Sequence, residues 1–250
     1  MFGFIVAACL RETRHFDSLS ECLESLDQFH ADNKKIVIVD FTSDRGLVSA
    51  AVIKFPTVIF EVDTPEVPAD MLSLYFFQKK HYFDTAIVLQ DSMKILQAFD
   101  VQKIDDINYL WYFRDHVHWA GIPEPQTEFN IKNNIRNHDD LILYCLKNLT
   151  KKINFQSYAL DIYFQKNRWS GCFGCCCVVT HNFLNKLDSD TGIIDIMLQM
   201  TSNRLRRAIE SIFSLACQYS LNKEIHYGFD GLYNCRMTGP HVTKKSFDRQ

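Results

Sequence analysis

This chain of 250 residues has no apolar run of the length a bilayer requires, and no basic segment precedes its apolar first ten residues. A membrane-spanning helix and a signal peptide are therefore not expected, and the opening run reads as a first core strand of a cytoplasmic protein. Charge of one sign is also lacking, with 27 Lys and Arg against 30 Asp and Glu for a formal net charge of −3. Without a global basic field, neither nucleic acid nor anionic lipid is an expected partner, and any anionic ligand must be held by local groups. There is no internal repeat and no low-complexity segment. No second close cysteine pair accompanies Cys172 and Cys175, which argues against a structural zinc site. Ala7 to Arg11 contains no glycine, so the glycine-rich phosphate loop of a nucleotidyltransferase is missing after the first strand.

What is present is an apolar fraction of 47%, ordinary for a globular protein, with 20 Phe and 10 Tyr to bury or to line a groove. Nine cysteines, three of them adjacent at Cys175, Cys176 and Cys177, make a poor disulfide framework, because neighbours on a strand face opposite ways. Reduced, buried thiols are the simpler expectation.

The first 93 residues alternate between short β-branched runs and amphipathic stretches. Strands are expected at 2–8, 35–40, 57–62 and 85–89, and helices at 18–29, 47–53 and 71–82. That alternation predicts an α/β fold with a mostly parallel sheet flanked by helices. The remaining residues, 94–250, are read as an elaborated second half of one domain. It has an aromatic-rich stretch at 109–119, a loop at 121–138, an apolar run at 175–179, and helices at 139–149, 193–200 and 203–217. Gly171 and Gly174 are positions where backbone can approach a ligand or another strand closely.

Two strands end in carboxylates. The run Thr85 to Leu89 stops at Gln90-Asp91-Ser92, and Ile36-Val37-Ile38-Val39 stops at Asp40. In an open α/β sheet, ligands bind beyond the carboxyl ends of the strands, so both acids are candidates for a site. Each also has a plainer role open to it, in ordering a turn or capping a helix.

Three stretches together resemble a nucleotide-diphospho-sugar transferase of the GT-A fold, in a divergent, family-2-like form. They are the strand–helix–strand unit from Phe4 to Asp44, the Gln90-Asp91-Ser92-Met93 segment, and Trp169-Ser170-Gly171-Cys172-Phe173-Gly174 followed by Asn203-Arg204-Leu205-Arg206-Arg207-Ala208-Ile209-Glu210. The resemblance implies a metal-dependent glycosyltransferase that moves a sugar from a nucleoside diphosphate sugar to a hydroxyl of a carbohydrate or glycoconjugate acceptor. It implies Mn²⁺ or Mg²⁺ on Asp91, aided by His241, because a hard cation offsets charge on a diphosphate leaving group. Asp40, Gln90, Ser92, Arg204, Arg207, Trp169 and Gly171 are then the donor-binding residues. Glu210 and Asp115 are the candidate bases for the acceptor hydroxyl. Arg204 and Arg207 have a solvated helix face as their plainer role, with Glu210 as the i+3 partner of Arg207. Two departures stand out: Phe41 occupies the place of the second acid after Asp40, and Ser92 and Met93 leave Asp91 as the single acid of its motif. They motivate a second expectation, a catalytically inactive member that keeps the fold as an interaction or structural protein.

Overall fold

A computed structural model describes residues 1–67, 69–96, 98, 101, 106–113, 123–201, 203–222 and 242–244, with the backbone alone at 69, 203, 204, 206, 207 and 242–244. The chain opens with β1 (Phe2–Ala8), buried at every position after Phe2. In α1 (Thr13–His30), Leu19, Leu23 and Leu26 recur at helical spacing and are fully buried. β2 (Lys35–Val39) follows. Asp44 then starts α2 (Arg45–Lys54) by accepting the Leu47 N–H at 3.0 Å, a side-chain cap for an otherwise unsatisfied donor. β3 (Ile59–Glu61), α3 (Ala69–Lys80) and β4 (Thr85–Gln90) complete the alternation expected for this part of the chain.

Beyond it come β5 (Met93–Ile95), β6 (Ile107–Tyr109), β7 (Tyr112–Phe113), α4 (Glu128–Lys132), α5 (His138–Leu149), α6 (Ile153–Tyr163), β8 (Gly171–Cys172), β9 (Cys177–Thr180), α7 (His181–Thr191), α8 (Ile193–Leu198), α9 (Asn203–Leu221) and β10 (Val242–Lys244). No described helix is long and apolar enough to cross a membrane.

The main sheet runs β3-β2-β1-β4-β9-β6. Its first four strands are parallel, and β9 joins β4 and β6 in antiparallel pairs. The architecture is thus α/β with a mixed, mostly parallel sheet. Central strands covered on both faces must be apolar at every position rather than at alternate ones. The two faces bury separate clusters. Phe4, Val6 and Ala8 pack with Leu19, Leu23 and Leu26 of α1 on one side. Ile5, Ile36 and Val88 pack on the other with Leu72 and Phe77 of α3 and with Ile209 and Phe213 of α9.

The apolar run expected from Cys175 enters the sheet only at Cys177. Gly174 and Cys175 both take left-handed backbone (φ 59° and 53°) in a 3-10 turn, Phe173–Cys175, that precedes β9. The eight described cysteines are free thiols, and seven are buried, as expected from their spacing.

Gly171 answers the expectation of close backbone approach, and its neighbour is a side chain. A Cβ there would lie 1.9 Å from Cζ of Phe113, across the β7–β8 pair. Phe113 is itself buried, so it has little room to retreat. Gly171→Ala is expected to lower the unfolding free energy by about 1–3 kcal/mol, the usual cost of overpacking, read from urea denaturation midpoints. In a Phe113→Leu background the same change should cost clearly less.

Candidate functional site

The sheet order places a topological switch between β1 and β4. From β1 the chain passes through α1 to β2 on one side, and from β3 through α3 to β4 on the other. The carboxyl ends of β2, β1 and β4 thus lie together on the sheet edge at which open α/β folds bind ligands. Three consecutive strands deliver Asp40, Cys9 and Asp91 to that edge, because the parallel register pairs Ala8 with Val39 and Ala7 with Gln90.

Asp91 is tied back to β1 twice. Its N–H donates to the Ala7 carbonyl at 2.9 Å, and its Oδ2 accepts the Cys9 N–H at 3.0 Å. The turn-ordering role and a ligand-facing role are compatible here, since a carboxylate has about four lone-pair sites. Ser92 and Gln90 beside it are buried.

Asp40 is 6% exposed at the end of β2. Its N–H donates to the Ala8 carbonyl at 2.8 Å, and its Oδ1 accepts the Thr42 N–H at 2.8 Å and the Thr42 hydroxyl. The same hydroxyl oxygen accepts Nε and Nη2 of Arg11 at 2.9 and 2.5 Å, which brings the guanidinium to 4.0 Å from Asp40. Oδ2 of Asp40 has no hydrogen-bond partner among the described residues.

Cys9 lies between the two acids. Burial raises its thiol pKa most, and the negative charge of Asp40 adds to this. A bond to Thr42 and the Arg11 charge pull the other way, and Asp91 raises it further. Cys9, Arg11 and Thr42 were not singled out from the sequence. The readable signal was the position of Cys9 and Arg11 just after the first strand, on the same sheet edge as Asp40.

A second polar group sits on the α3–α9 side of β4. The Gln90 side chain lies against Gly174, where an added Cβ would be 2.5 Å from Nε2. The Gly174 N–H donates to Oε1 of Glu210 at 2.8 Å. Burial, then the charges of Asp70 and Glu210, push the Cys175 thiol well above its ordinary range. Glu210 thus reaches the carboxyl end of β4 from α9.

Arg204 and Arg207 lie on α9 in the two turns before Glu210, and their side chains are outside the described residues. Asp115 and His241 also lie outside the described residues. Trp169 is buried, stacks near Tyr163 at 5.6 Å between ring centroids, and donates its indole N–H to the Tyr163 carbonyl at 3.0 Å. Its contacts are those of a core residue. Gly171 packs on Phe113, as above.

Among the described residues, no three His, Cys, Asp or Glu side chains gather as a ready-made metal cage. A single carboxylate such as Asp91 suits a different mode, in which one or two carboxylates share a hard cation with a ligand's own phosphates. No protein-family model matches the chain, and no curated protein matches it either.

The Cys9 thiol reports on this edge. Neutralising either acid removes a negative charge that disfavours the thiolate, so the thiol pKa falls. Asp40→Asn and Asp91→Asn should both speed alkylation of Cys9 by iodoacetamide at pH 8, with the larger gain at Asp40→Asn. Peptide mass spectrometry of the timed reaction checks the order.

Proposed function

We propose that this protein is a metal-dependent glycosyltransferase of GT-A-like fold, acting on a nucleoside diphosphate sugar with a carbohydrate or glycoconjugate hydroxyl as acceptor. The observation that carries the reading is the pair of carboxylates, Asp40 and Asp91, at the ends of two parallel strands that flank β1 at the switch point. Such a sheet edge accepts an elongated ligand with a nucleoside at one end and phosphates at the other.

In this reading Asp40 faces the nucleoside and Asp91 holds Mn²⁺ or Mg²⁺ together with the diphosphate. The cation supplies Lewis-acid stabilisation of the leaving diphosphate. Asp91 is positioned for its part by the Cys9 N–H, which occupies one oxygen and fixes the carboxylate plane. Gln90 and Ser92 form the floor beside it, and Arg204 and Arg207 of α9 are the candidate cationic contacts to phosphate. Glu210 is the candidate to take the acceptor proton, with the Gly174 N–H fixing one of its oxygens. Asp115 is the second candidate for that role.

The cation is expected to arrive with the nucleotide, since Asp91 by itself is a sparse ligand set. Mn²⁺ with UDP or GDP, at about a hundredfold over the dissociation constant, should raise the melting temperature by about 5 °C. Mn²⁺ alone should shift it much less, and Asp91→Ala should abolish the joint effect. A screen for nucleoside diphosphate release from nucleotide sugars, with and without Mn²⁺, then reports the chemistry. Absence of any nucleotide-dependent shift would leave the inactive, interaction-protein alternative standing.

A further inference from the structure

Beside Asp40 sits a donor group that the reading above leaves unused. The Arg11 guanidinium is half exposed, and Thr42 grips its Nε–Nη2 edge. Thr42 is locked in turn, because its hydroxyl hydrogen goes to Asp40. The side of the guanidinium formed by Nη1 and the second Nη2 hydrogen has no acceptor among the described residues. Oδ2 of the nearly buried Asp40 has no donor. An open acceptor and an open two-pronged donor therefore belong to neighbouring side chains at the carboxyl end of β2, whose Nη2 and Oδ1 atoms come within 4.0 Å.

We infer that Arg11 and Asp40 together read guanine, so that the nucleotide bound at this edge is a guanosine diphosphate derivative. The inference rests on the nucleotide-binding reading proposed above and adds the identity of the base. Along its edge guanine offers the N1–H donor, then the O6 and N7 acceptors. A carboxylate oxygen next to an arginine fork complements that order, and an arginine fork on O6 and N7 is the commonest specific contact to guanine. Uracil has its donor between two carbonyls, so a fork on one side meets a single acceptor. Adenine offers its amino donor next to N1, again with one acceptor for the fork.

Cytosine shares the donor–acceptor–acceptor order, and Phe41 separates the two. Phe41 stands between Asp40 and Thr42 in the chain and is 43% exposed. A base stacked on an exposed ring gains with its π surface, which favours the purine. Thr42 is a positioning residue in this scheme, since it touches Arg11 and Asp40 and holds the fork toward the base.

Titration calorimetry with GDP, UDP, CDP and ADP, each in the presence of Mn²⁺, tests the inference. GDP should bind at least about tenfold more tightly than the others, in line with the discrimination of a good bidentate base contact. Arg11→Ala should bring GDP to within about twofold of UDP. Thr42→Val should erode the preference while leaving UDP binding nearly as it was. Binding of UDP or CDP as tight as GDP by the wild type overturns the assignment. So does an equal loss for GDP and UDP in Arg11→Ala, which would put Arg11 on phosphate. If no nucleoside diphosphate binds the wild type, the nucleotide-binding reading fails, and the base assignment with it. Because the Arg11 side chain is half exposed, the thermal melt of Arg11→Ala without ligand should match the wild type.

Discussion

Two hydrogen bonds tie the residue that follows β4 to the end of β1 and hold this edge of the sheet in shape. The Asp91 N–H reaches the Ala7 carbonyl, extending the parallel ladder by one rung, and the Cys9 N–H reaches the Asp91 carboxylate where the ladder stops. Where the ladder stops, a backbone donor is left without a ladder partner and needs another acceptor. A short acceptor immediately after β4 meets that need. The same bond fixes the direction of the Asp91 side chain at the carboxyl end of the sheet.

On the opposite face the constraint is steric. Gly174 has left-handed backbone and sits where a side chain would strike Gln90. The Gly174 N–H consequently points to Glu210, which couples α9 to the end of β4. The two polar groups, Asp40–Cys9–Asp91 and Gln90–Glu210, thus approach one strand end from the two faces of the sheet. Each depends on backbone donors that have no regular partner in the ladder. Burial of Cys175 beside Asp70 and Glu210 keeps its thiol protonated, so no further negative charge is added there.

The parts of the fold legible in the sequence were those with one physical demand. β1, β2 and β4 are buried on both faces, and their uninterrupted β-branched runs could be located to within a residue or two. The first turn of α1 carries half-exposed and exposed polar residues, so apolar spacing pointed only to its buried part from Ser18 onward. β9 starts two residues later than its apolar run because Gly174 and Cys175 turn the backbone first, and hydrophobicity does not encode φ. β7 and β8, at two residues each, are too short to have a period. In α7 the signal was present in the Thr180 cap over Phe183, Leu184 and Leu187. At the site, Asp40 and Asp91 were visible because they end apolar runs. Cys9, Arg11 and Thr42 depended on the β1–β2 register, which no local pattern reveals.

That register also bears on the acid missing after Asp40. In the sequence Phe41 reads as a loss, one carboxylate fewer where a nucleoside is expected. In the folded chain the turn that holds Phe41 also places Thr42 against Asp40, and Thr42 captures Arg11 from the neighbouring strand's loop. A second carboxylate at 41 would be a further acceptor beside Asp40, with no donor added to match it. Phe41 adds no such acceptor, and Arg11 comes within 4.0 Å of Asp40. The edge therefore exchanges an acceptor–acceptor pair for an acceptor–donor pair. A nearly buried Asp40 thus sits at an edge that still presents hydrogen-bond donors beside it.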